Sequence, residues 1–147
     1  VSDYGGSVLA INLRTTEMRT WDGRIVIIPN ADVLSNVITN YTRADRRRID
    51  IPVGVAYGTD LDLARATILQ AVKGIPGFIA DPAPSVISDT FGDSAINLTA
   101  YFWIDTKKIG FFDAIDAGVR LIKTALDQKQ IDIPFPIRTV YMQNVNQ

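Results

Sequence analysis

Ile11-Asn12-Leu13-Arg14-Thr15-Thr16-Glu17-Met18-Arg19-Thr20-Trp21-Asp22-Gly23-Arg24-Ile25-Val26-Ile27-Ile28-Pro29-Asn30 decides the reading of this chain. Ile11 and Leu13 alternate with polar neighbours, Asp22-Gly23 suits a type I′ turn, and Arg24 to Ile28 is a short apolar run. Two paired strands are expected, with Asp22 as a turn residue that tolerates positive φ. A hairpin says little about function. The order Thr-Thr-x-x-Arg-Thr-x-Asp-Gly, closed by Ile-Pro-Asn, is more distinctive.

Working outward, Ala31 to Leu34 fits one helical turn capped by Asn30 or Asp32, and Val37 to Thr42 reads as a further strand. Residues 1–43 are therefore read as a mostly β domain. A basic joint from Thr42 to Arg48 follows, and the pattern then changes to strands alternating with long helices. The domain boundary is placed near Ala44, giving domains 1–43 and 44–147.

In the second domain Ile49, Ile51, Val53 and Val55 share one face of a strand by period-2 alternation. Gly58-Thr59-Asp60 starts a helix with Thr59 as N-cap, and Leu61, Ala64, Ile68 and Val72 line one side. Gly74 and Pro76 stop it. Ser85 to Phe91 and Ala95 to Ile104 form a second hairpin turned at Gly92-Asp93-Ser94. A second helix from about Gly110 to Gln128 carries Phe112, Ile115, Val119, Ile122 and Leu126 as its apolar stripe. Ile131 to Pro136 is an extended, proline-limited connector, after which Ile137 to Met142 supplies a last strand. The order βαββαβ is that of a ferredoxin-like domain, with both helices on one face of the sheet, so the fold class is α+β.

Composition narrows the chemistry. The chain has 147 residues, 47% of them hydrophobic and 21% charged, with a formal charge of -1, which is a globular composition without a field strong enough to recruit a charged partner. It contains no cysteine and no histidine. Disulfides, zinc–thiolate sites and triads of the Ser-His-Asp or Cys-His type are therefore excluded. Asp113 and Asp116 share a helix face but are explained by the helix dipole, as are Asp60 and Asp62. No EF-hand, phosphate loop or dinucleotide motif occurs, so neither a cofactor nor a metal is expected and the chain is not read as an enzyme. No run reaches the ~18 apolar residues that cross a bilayer, and the start at Val1, lacking an initiating Met, is read as the edge of an excised fragment.

Nucleic acid is the competing reading. Alternation in Asn97 to Ile104 sends Leu98, Ala100, Phe102 and Ile104 to one face and Thr99, Tyr101 and Trp103 to the other. An open-face Tyr101 and Trp103 would stack bases while Arg43, Arg46, Arg47 and Arg48 held phosphates. Against it stand 15 basic to 16 acidic residues and the lack of an RNP-type motif. Tyr101 and Trp103 are therefore assigned to packing or a subunit interface, and no nucleic-acid partner is expected. A standalone RNA-binding module is kept as the alternative, and a small-molecule sensor as a third reading.

The motifs in order resemble those of the mechanosensitive channel of small conductance family. Gly6 to Ile11 is similar to its Gly-x-Val-x-x-Ile start, and Thr15-Thr16 to Gly23 matches its Thr-Thr-x-x-Arg-Thr-x-Asp-Gly. Ile28-Pro29-Asn30 and Ile38 to Thr42 resemble its Ile-Pro-Asn…Ile-x-Asn-[Tyr/Phe]-[Ser/Thr]. Val53 to Asp62 and Ile131 to Pro136 continue the likeness. The resemblance implies an Sm-like β domain, missing its upstream strand, followed by the ferredoxin-like domain. It also implies a homo-oligomer, heptameric in the family, whose hollow vestibule filters ions and small osmolytes beneath a tension-gated pore. Localisation would be the inner membrane, through helices upstream of Val1, with this region on the cytoplasmic side. Thr15, Thr16, Arg19, Asp22, Gly23, Pro29, Asn30 and Asn40 carry the family motifs, and Asn30 is the candidate for a gating or inactivation contact.

Overall fold

The computed structural model describes residues 4–142, and the chain parts between Arg43 and Ala44 into two compact units. The first unit is a three-stranded antiparallel sheet in the order β1 (Gly6–Ile11), β2 (Thr15–Thr20), β3 (Ile25–Pro29), followed by the short helix α1 (Asn30–Ser35). Met18 and Ile28 are its only buried apolar side chains among the described residues. A sheet with so small a core is marginal by itself.

The expected hairpin forms, with β2 and β3 paired from Thr15↔Pro29 to Arg19↔Ile25. Its turn is not type I′. Gly23 N–H donates to the Thr20 carbonyl, Thr20 N–H donates to the Arg24 carbonyl, and Gly23 has φ +87° whereas Asp22 keeps negative φ. Trp21, Asp22 and Gly23 thus make a three-residue loop with glycine at the left-handed position, because Trp21 lies outside the ladder. Ile11 and Leu13 do not share the strand of Thr15 either. Ile11 ends β1, and Leu13 stands in the connecting loop at 95% exposure.

Val37 to Thr42 does not form the expected strand. Asn40 Oδ1 accepts from the backbone N–H of Thr42 and Arg43 and from the Thr42 hydroxyl, each at 3.0 Å. This side-chain turn competes with sheet pairing.

The second unit begins with β4 (Arg46–Val55), then α2 (Leu61–Val72), β5 (Phe78–Ile79), β6 (Ser85–Phe91), β7 (Ile96–Asp105) and α3 (Phe111–Gln128). β7 is central. β4 pairs along its whole length on one side, while β5 and β6 follow one another along the other. Ile49, Ile51, Val53 and Val55 join Leu98, Ala100, Phe102 and Ile104 on the face covered by both helices, as alternation predicts. Full burial of a side chain such as Phe102 contributes on the order of 2–3 kcal/mol.

Three local expectations shift. The N-cap of α2 is Asp60, whose Oδ1 accepts from the N–H of Asp62 and Leu63 at 3.0 and 3.1 Å, and not Thr59. α3 buries Ala114, Gly118, Ile122 and Leu126, leaving Phe112 80% and Val119 49% exposed. The apolar stripe is rotated because the helix approaches the sheet through its smallest residues. Ile137 to Met142 adds no strand. The connector is tied at Ala56 N–H to the Asp132 carbonyl and at Ile137 N–H to Ser94 Oγ in the β6–β7 turn. It therefore runs past the end of the sheet where β4 finishes and β7 begins, and Pro134 and Pro136 offer no N–H to a ladder. The mixed α+β class holds without that last strand.

Candidate functional site

The residues singled out in the first unit fall into three places. Thr15, Thr16, Pro29 and Asn30 meet at one end of the hairpin, Arg19, Asp22 and Gly23 at the other, and Asn40 closes the turn after α1.

At the first end, antiparallel register sets Thr15 opposite Pro29 and Thr16 opposite Ile28. Pro29 is the N-cap of α1, with extended ψ of 136° and no side-chain cap bond, so neither Asn30 nor Asp32 caps the helix. The Asn30 side chain turns back. Its Oδ1 accepts from the hydroxyl of the buried Thr16 at 2.8 Å. Its Nδ2 donates to the carbonyls of Asn12 and Leu13 at 3.0 and 3.3 Å. The Asn30 backbone N–H donates to the Arg14 carbonyl at 2.9 Å. One amide side chain therefore joins β2, the β1–β2 loop and the start of α1. The two loop carbonyls give no side-chain signal in the sequence, because any residue type supplies them.

At the far end, the Thr20 hydroxyl donates to Asp22 Oδ1, and Arg24 pairs with Asp22 at 2.7 Å. The Thr20 bond first, and then Arg24, hold the Asp22 carboxyl down at about 2. Arg19 is exposed beside Ile25. Its carbonyl fixes a neighbour, since a Cβ on Gly6 would lie 2.1 Å from it. A groove of about 650 Å³ lies between Tyr4–Val8 and Val37–Thr42, with Met18 and Trp21 also lining it.

In the second unit, Tyr101 and Trp103 lie half-buried on the sheet face opposite the helices. The Arg48 guanidinium stands 5.1 Å from the Tyr101 ring centroid and makes a two-point contact to Asp50 at 2.8 and 3.0 Å. Arg48, Tyr101 and Trp103 edge a shallow hollow of about 380 Å³ with Ala83, Ser85 and Ile87. Among the described residues no group of acidic side chains is arranged to hold a metal ion.

Comparison with known proteins places this arrangement. Residues 1–43 match the family model of the mechanosensitive ion channel beta-domain, and residues 49–133 match that of the mechanosensitive ion channel MscS, C-terminal. The chain belongs to the MscS family. The small-conductance mechanosensitive channel of Helicobacter pylori is 33% identical over 98% of this chain and 52% of its own length. An MscS-family protein of Archaeoglobus fulgidus is also 33% identical, over 98% of this chain and 50% of its own. The crystal structure of Helicobacter pylori MscS in its closed state superposes with a TM-score of 0.89 at 30% identity, covering 98% of this chain and 56% of that one. Arabidopsis thaliana MSL1 shares the fold at 19% identity and a TM-score of 0.75, over 91% of this chain and 50% of that one. This MscS-family chain spans about half the length of the relatives it matches. Among the described residues no helix is long and apolar enough to cross a membrane.

Proposed function

We propose that this chain is the cytoplasmic part of a channel that opens under membrane tension during osmotic down-shock. The observation that carries the reading is continuity: beta-domain and C-terminal matches follow one another along the chain, and the closed Helicobacter pylori channel superposes over 98% of it. In this reading membrane helices outside residues 1–147 form the pore in the inner membrane, and copies of the chain, seven as in the family, enclose a vestibule that screens ions and small osmolytes. The boundary near Ala44 separates the part next to the pore from the part that walls the vestibule. The corner at Pro29 and Asn30 faces the pore-lining helix, and Tyr101 and Trp103 serve packing or subunit contact. No step requires catalysis. The test is patch recording from liposomes holding the channel that carries this chain: stepwise currents under suction are expected, and silence at every tension short of lysis would falsify the reading.

A further inference from the structure

We infer that Thr16 is a positioning residue for Asn30, and that the pair acts as a latch making β2, the β1–β2 loop and α1 move as one piece during gating. The gating part rests on the channel reading above; the latch stands on geometry alone.

An asparagine amide has one acceptor oxygen and two N–H donors. Here the oxygen takes the Thr16 hydroxyl, and both donors have carbonyls within reach, those of Asn12 and Leu13. Both donors and one lone pair of the oxygen are engaged inside the side chain's own unit, and the oxygen keeps a second lone pair. The side chain is thus placed to transmit the position of the hairpin to α1. Thr16 is the member that selects this arrangement. Its backbone is fixed by pairing with Ile28 and Ile11, it is 7% exposed, and its single hydroxyl proton needs an acceptor in a place water reaches poorly. The β-branched Thr16 is stiff at χ1, so the hydroxyl holds Asn30 to one rotamer.

The experiment pairs hydrogen exchange on the 147-residue chain with tension recordings from the channel that carries it. Thr16→Val keeps the shape and removes the hydroxyl. Exchange of the Asn30 Nδ2 protons and its backbone N–H should quicken about five- to tenfold, the size expected for one lost part-buried hydrogen bond, and Thr16→Ser should restore the slow rate. Opening tension or recovery from inactivation should move with Thr16→Val and return with Thr16→Ser. Rates unchanged in Thr16→Val, or equally fast in Thr16→Ser, overturn the latch. Faster exchange with unmoved gating overturns its role in gating. Should Thr16→Val fail to fold, Asn30→Asp, which lacks both side-chain donors, replaces it. Protection of the Asn12 N–H, which donates to the Thr15 carbonyl, should then fall, and unchanged protection overturns the latch. Wild-type patches silent under suction reject the channel reading and with it the gating role, while the exchange rates still decide whether Thr16 holds Asn30.

Discussion

Gly118 of α3 lies so close to Ile51 of β4 that a methyl group on the glycine would sit 2.4 Å from the Ile51 Cδ1. Ile75 Cδ1 and Phe102 Cζ close the same space at 3.3 and 3.5 Å. This contact sets the depth at which the helix rides on the sheet. Gly118→Ala gains about 1 kcal/mol of helix propensity and meets an overpacking cost of about 1–3 kcal/mol. A net loss of about 1 kcal/mol is expected in urea unfolding. Ile51→Val removes the offending methyl, so the double variant should recover part of that loss. Strict additivity of the two changes would disprove the contact.

Asp60 holds the first turn of α2 through two backbone N–H groups. Asp60→Ala should cost about 1 kcal/mol, the usual value of a lost N-cap. Thr59→Ala should leave the melting temperature nearly unchanged. Equal losses for the two would return the cap to Thr59.

The Asp22 carboxyl titrates at about 2, below its ordinary 3.8, because the Thr20 hydroxyl and Arg24 favour the charged form. A depressed folded-state value contributes stability that is full above the unfolded value and is lost as pH falls through the folded one. The contribution should therefore fade between pH 3.8 and about 2. Asp22→Asn is expected to flatten the pH dependence of unfolding in that window and nowhere else; an unchanged curve would remove Asp22 from the account.

Arg48 is engaged by Asp50 and Tyr101 on the sheet face opposite the helices, which leaves it poorly set to hold a phosphate beside a base stacked on Tyr101 or Trp103. Titration with single-stranded RNA should give no salt-sensitive change in Trp103 fluorescence, measured in a Trp21→Phe background. A saturable change that weakens steeply with salt would revive nucleic-acid recognition.

Much of the second unit was legible because strong periodicity and full burial agree there. Ile49 to Val55 and Leu98 to Ile104 face the core as alternation requires, and Ala64, Ile68 and Val72 do so at helical spacing. The weaker readings share a cause. Asn40 as a turn-former outcompeted the strand expected over Val37 to Thr42, and Asp60 outcompeted Thr59 as cap. Short polar side chains at neighbouring positions bid for the same N–H groups, and composition does not say which one wins. β5, two residues long, carries no pattern at all.

In the candidate site the motif residues were visible, but their partnership was not. Thr16 and Asn30 are fourteen positions apart, and the loop carbonyls that complete the amide's hydrogen bonds belong to the backbone of Asn12 and Leu13.

The sequence by itself determined the mixed α+β class, the hairpin around Asp22-Gly23 and the family, because these rest on local periodicity, turn chemistry and the order of motifs along the chain. Only the tertiary structure decided which side of α3 meets the sheet, where the connector after Ile131 runs, and what the Asn30 amide holds. Those depend on how closely two surfaces approach: large apolar residues mark the most conspicuous stripe along α3, but the helix buries the side whose small residues, Ala114 and Gly118, let it reach the sheet.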